Sequence, residues 1–242
     1  MKKKLSYEIL FEDNHLLVVN KPAGELVQGD KTGDQPLVDF YKVYLKEKYN
    51  KPGNVFLGVV HRLDRPVSGV LVFARTSKAL ERMNKEFKNR DIQKVYWAVV
   101  KKRPPKESGT LTHYLIKDSQ RNVVSAYEKP MDNAQKATLH YKQLGKLNDH
   151  FLVEVYPVTG RPHQIRVQLS SIGSPIRGDL KYGFKTPNND GNINLHAKRI
   201  SFIHPVKKER VTVSAPLPSD PFWEQFISLD DFSNPDFFRS KE

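Results

Sequence analysis

The chain has 242 residues, 38% of them apolar, which is enough for a packed core in one large domain or two small ones. Forty Lys and Arg against 27 Asp and Glu leave a formal charge of +13, an excess that favours a polyanionic partner, although a basic enzyme with a small-molecule substrate stays open. The absence of cysteine excludes disulfides, thiolate metal sites, iron–sulfur clusters and cysteine nucleophiles.

The start, Met1-Lys2-Lys3-Lys4, is basic but is not followed by the apolar core of a signal peptide, and no run reaches the roughly 20 apolar residues of a membrane span. A cytoplasmic protein that avoids membranes is expected. Ile9-Leu10-Phe11 and His15 to Asn20 read as short strands, the second ended by Lys21-Pro22-Ala23-Gly24. An amphipathic helix follows from Leu37 to Tyr49, with Leu37, Phe40, Tyr41, Tyr44 and Leu45 inward.

Val55 to Val60 and Val70 to Ala74 read as a buried strand pair. Between them runs His61-Arg62-Leu63-Asp64-Arg65-Pro66-Val67-Ser68-Gly69, which would hold its polar side chains at a sheet rim. Asp64, flanked by Arg62 and Arg65, is expected to stay ionised, fit for a nucleophile or anion stabiliser rather than a general acid. A structural ion pair in a turn explains the same residues. Thr76 or Ser77 can cap a second helix to about Arg90, with Leu80, Met83 and Phe87 inward.

Lys94 to Val100 is rich in strand formers. Strand candidates follow at 110–116, 123–127, 137–143 and 151–155, spaced as in an antiparallel or mixed sheet. Thr159-Gly160-Arg161-Pro162-His163-Gln164-Ile165-Arg166 reads as a helix start, with Pro162 in the first turn and Gly173 as terminator. His163 and Arg166 then share one side near the positive end. His196 and His204, eight apart without a carboxylate cluster, read as structural rather than metal-binding. A last strand over 210–214 and a helix over 221–229 close the chain, leaving 231–242 as a tail.

Several of these segments together resemble the RluA-type pseudouridine synthases, enzymes that isomerise uridine in structured RNA. The run 61–69 is similar to their H-R-L-D-x-x-x-S-G signature, 18–24 to V-x-N-K-P-x-G, 94–100 to K-x-Y-x-A-x-V, and 160–166 to G-R-x-H-Q-I-R. The last match continues through Asp179 to Gly183, and Leu195-His196-Ala197 resembles a further element. The resemblance implies an α+β fold with a mixed, mainly antiparallel central sheet, in a single catalytic domain over roughly 8–230. Because the match begins near residue 18, no N-terminal RNA-binding domain is expected.

By the same resemblance Asp64 is the catalytic aspartate, Arg166 the arginine paired with it, and Tyr96 the ring that stacks on the target base. Arg62, Arg65, Arg161, His163, Leu169, Lys21 and Lys181 are expected to contact RNA. Gln168 departs from the family, where histidine is frequent, and so does Val67, where threonine is. The implied activity needs no cofactor and no metal, and its partner is a ribosomal or transfer RNA stem-loop met by a monomer. Two other readings explain part of the pattern: a basic RNA-binding protein without catalysis, and a glycoside hydrolase, for which no second carboxylate stands out.

Overall fold

The computed structural model describes residues 8–30 and 32–232. The expected tail lies outside the described residues from 233 on. The chain divides into two compact units: residues up to 93 with 197–216, and residues 94–196 with those from 217 on.

In the first unit β2 (Leu16–Lys21) lies between β1 (Ile9–Glu12) and β4 (Ser68–Ala74), antiparallel to both. β10 (Leu195–Ile203) neighbours β4 and pairs with β11 (Arg210–Ser214). Every residue of β4 is buried. Leu16, Val18, Val70 and Val72 form one core with Ala79 and Met83 of α2 (Ser77–Asn89) and with Ile200 and Phe202. α2 begins where Thr76 Oγ1 accepts the Ala79 amide, as a threonine N-cap should. α1 (Leu37–Lys48) buries Leu37, Val38, Tyr41 and Leu45.

The strand expected over 55–60 shrinks to β3, Gly58–Val59, paired with the end of β4. At the far end His61 Nε2 accepts the Val72 amide at 3.1 Å, where a main-chain carbonyl would extend the pairing along β4 by one step. The ring also stacks on Phe87, 5.0 Å between centroids.

In the second unit β5 (Gln93–Val100), β9 (His150–Pro157), β8 (Gln135–Leu147), β6 (Ser108–Asp118) and β7 (Val123–Tyr127) are successive antiparallel neighbours. α3 (Gln164–Ser171) packs on β6 and β7. Trp97 and Leu152 share a core with Trp223 and Phe226. The closing helix is shorter than the pattern suggests. α4 stops at Pro221–Glu224, the Phe226 amide bonds to the Trp223 carbonyl, and both rings are buried. The α+β expectation holds, with antiparallel pairing dominant. Among the described residues no helix is long and apolar enough to cross a membrane.

Candidate active site

In the first unit the site is built on the loop between β3 and β4. Leu63 and Val67 point inward, while Asp64 between them stays partly exposed. The Asp64 carbonyl accepts the Val67 amide at 3.0 Å, closing a tight turn over Arg65 and Pro66. The 21–24 segment is stitched to this turn. Gly24 donates its amide to the Arg65 carbonyl at 2.8 Å, and Arg65 Nε donates to the Gly24 carbonyl at 2.8 Å. Lys21 completes the junction, its Nζ donating to the carbonyls of Pro22, Arg65 and Val67 at 2.9, 3.0 and 2.8 Å. Burial pushes the Lys21 ammonium down to about 7, against the pull of Glu25 and Asp64.

Below the turn the chain enters β4 through Gly69, whose φ is +112°. A Cβ there would sit 2.6 Å from the Ala197 nitrogen and closer still to its carbonyl oxygen. Only glycine lets β10 approach at that point.

In the second unit Tyr96 lies on β5 opposite Val155 of β9, half-buried, while its neighbour Trp97 is fully enclosed on the other face. Lys94, two residues earlier on the same face as Tyr96, is pushed down to about 8 by burial. Trp97 Nε1 donates to the buried Glu154 carboxylate at 3.2 Å, and the Tyr156 hydroxyl donates to the other oxygen of Glu154.

α3 starts later than the proline suggests. His163 adopts a left-handed conformation (φ +52°), so Pro162 precedes the helix and the first helical residue is Gln164. The Gln164 side chain folds back, its Oε1 accepting the Thr159 hydroxyl at 2.8 Å and the Arg161 amide at 3.0 Å. This orders the approach to the helix in place of a side-chain cap.

Arg166 is buried and forms a bidentate pair with Asp179: Nε to Oδ2 at 2.7 Å and Nη2 to Oδ1 at 2.9 Å. Its guanidinium lies 5.0 Å from the Tyr182 ring centroid. The Tyr182 hydroxyl accepts the Val124 amide at 2.9 Å and lies 2.6 Å from His163 Nδ1. His163, Tyr182, Arg166 and Asp179 thus form one network. Asp179 and Tyr182 were not singled out in the sequence, although both lie inside the continued match of 173–183. Gln168 is fully buried, its amide donating to the carbonyls of Leu111 and Ala137 at 3.2 Å each. In this chain it ties α3 to β6 and β8.

Two of the residues expected at RNA are placed otherwise. Leu169 and Lys21 are both 0% exposed, the first in the core and the second inside its cage of carbonyls. Arg65 is exposed but engaged with Asp34, 2.7 Å away. Arg62 is exposed, as is Lys181, which donates to the Asn122 carbonyl at 3.0 Å. Arg161 is half-exposed, its Nε 3.4 Å from the Lys136 carbonyl. His204 is structural as expected, its Nε2 2.9 Å from Asp13 and its Nδ1 accepting two main-chain amides. His196 is fully buried near Trp223. No group of three or more His, Asp or Glu among the described residues could hold a metal ion.

Residues 15–171 match the family described as RNA pseudouridylate synthase. The ribosomal large subunit pseudouridine synthase C of Buchnera aphidicola subsp. Baizongia pistaciae is 34% identical over 219 residues, which are 86% of this chain and 66% of that one. The ribosomal large subunit pseudouridine synthase D of Zymomonas mobilis is 34% identical over 223 residues, 88% of this chain and 70% of that one. The chain therefore spans about two thirds of the length of these relatives. Among solved structures, human RNA pseudouridylate synthase domain containing 4 superposes with a TM-score of 0.75 at 25% identity, covering 92% of each chain. Sequence match and fold agree, and the chain belongs to the RNA pseudouridylate synthase family, a family of isomerases.

Proposed function

We propose that this chain converts uridine to pseudouridine in structured ribosomal RNA, with Asp64 as the nucleophile, Tyr96 as the ring against the target base and Arg166 as the cation that orients Asp64. The reaction breaks the N1–C1′ bond, turns the uracil and joins C5 to C1′. C5 loses a proton and N1 gains one, so atoms and electrons balance without a cofactor. The observation that carries the reading is a partly exposed carboxylate on a braced turn, inside the segment that matches the family. Tyr96 and Arg166 fall within the same matched segment. Asp179 accepts two of the five N–H donors of the Arg166 guanidinium, and the pairing of Arg166 with Asp64 is part of the proposal. A base inside a stem is out of reach of such a carboxylate, so the target uridine is extruded first.

The names of the relatives favour ribosomal over transfer RNA, and we propose a monomer, one catalytic domain, working in the cytoplasm. The test is to incubate the purified chain with transcribed large-subunit ribosomal RNA and with transfer RNA, then map pseudouridine. Asp64→Asn should lower product formation by at least about a thousandfold, as loss of a nucleophile does, with RNA affinity changed less than about twofold. An Asp64→Asn preparation as active as the parent would overturn the assignment. Release of free uracil would point to a hydrolase, and binding without modification to a passive RNA-binding module.

A further inference from the structure

We infer that the open part of the sheet in the second unit is an RNA platform. Tyr114, Tyr127 and Lys136 take a single-stranded stretch of the substrate that runs on past Arg161, and this rests on the reading of the chain as an enzyme of structured RNA. Successive side chains of a strand point to opposite faces. On one face of β6, β7 and β8, Leu115, Val124 and Ala137 are buried against Val167 of α3. On the other face, over β5 and β9, Trp97 and Leu152 are covered by Trp223 and Phe226. That same face over β6, β7 and β8 leaves Thr110, Thr112, Tyr127 and Lys136 exposed and Tyr114 half-buried.

The pairing sets Lys136, Tyr114 and Tyr127 in one row across three strands, with directly opposed Cβ atoms about 5 Å apart. The row continues beyond the other edge of β8. There β9 has ended opposite Leu139, and Arg161 takes its place, with Nε 3.4 Å from the Lys136 carbonyl. The next two rows are short side chains that satisfy one another. Thr112 and Thr138 hydroxyls lie 3.3 Å apart, and Thr110 Oγ1 lies 2.7 Å from His140 Nδ1. Of the nearby carboxylates, Asp118 accepts the amides of Gln120 and Arg121 in the β6–β7 turn, and Glu128 acts on His113 of the packed face. Cross-strand packing alone explains a pair of tyrosines on a sheet. It does not explain two cations continuing the same row out to the segment that carries His163 and Arg166. Phosphates are drawn to those cations, and every base has a face to lay on a tyrosine ring.

The test uses the full chain and a fluorescent single-stranded oligouridylate of about ten nucleotides. Tyr127→Thr puts a strand former at an exposed position and removes the ring; it should weaken binding at least about fivefold, with an unchanged unfolding midpoint. Lys136→Gln should lower the slope of log affinity against log salt by about 0.7, the share of one phosphate on a single strand. Parent-like affinity and slope in both folded variants would overturn the inference. If Tyr127→Thr does not fold, the unmodified chain decides. Under ultraviolet light its crosslinks to the oligouridylate should map to the peptides that hold Tyr114 or Tyr127, and crosslinks confined to peptides outside 110–140 reject the platform. Binding does not depend on turnover. An active Asp64→Asn protein that crosslinks at Tyr127 would therefore remove the proposed nucleophile and leave the platform standing, whereas a chain that isomerises uridine without any crosslink in 110–140 would do the reverse.

Discussion

Asp13 and His204 lie 191 positions apart in the chain and 2.9 Å apart in the fold. Burial pulls the Asp13 carboxyl upward, but the amides of His15 and Leu16, at 2.8 and 2.9 Å, with the His204 ring and the Lys207 ammonium beside it, outweigh that pull, so its pKa falls below the ordinary value. A carboxyl with a depressed folded pKa contributes stability that is present above the unfolded pKa, near 4, and is lost as pH falls through the folded pKa. Asp13→Asn should therefore cost about 1–2 kcal/mol at pH 7 and flatten the decline in stability below about pH 4. Urea unfolding between pH 3 and pH 7 measures both, and an acid limb as steep as the parent's would assign it to other carboxyls. At this scale the sequence supports a negative statement about His204, that no ligand cluster surrounds it. Its partner was out of sight, because nothing local connects the two positions.

Elements were legible where the local pattern and the tertiary demand agree. β7 and β11 have the expected bounds, and α2 carries the expected cap and inward Met83. They were misjudged where one side chain overrides the pattern. His61 takes the Val72 amide just past the end of β3, and the left-handed His163 delays α3. Gly69 is the sharpest case of tertiary demand on a single element. Its positive φ and the Ala197 backbone against it leave no room for a methyl group. Gly69→Ala is expected to destabilise the first unit by on the order of 3 kcal/mol, from strain and overpacking together. Gly29→Ala is the control, since a Cβ there meets nothing within 4 Å and should change stability by less than about 0.5 kcal/mol. Equal unfolding midpoints for the two variants would mean that β10 yields at Gly69 at little cost.

Across the whole molecule the formal charge of +13 overstates the cations at the service of a polyanion. Lys21 is bound to carbonyls, Arg166 to Asp179, Arg75 to Glu12 and Arg65 to Asp34. The sequence marks these side chains as present, but burial and pairing over 13 to 63 positions of chain decide what each one does. The distinction is measurable through salt. Each phosphate contact adds about 0.7–0.9 to the slope of log affinity against log salt. Replacing the exposed Arg62 with Gln should lower the slope by about that amount, whereas Lys21→Met should leave it where it was, because a cation sealed under the turn releases no counterion from RNA. Binding of a fluorescent RNA stem-loop between 50 and 200 mM salt separates the two. A slope that drops equally in both variants would return Lys21 to the RNA surface, and with it the straightforward reading of the lysine in the 18–24 motif.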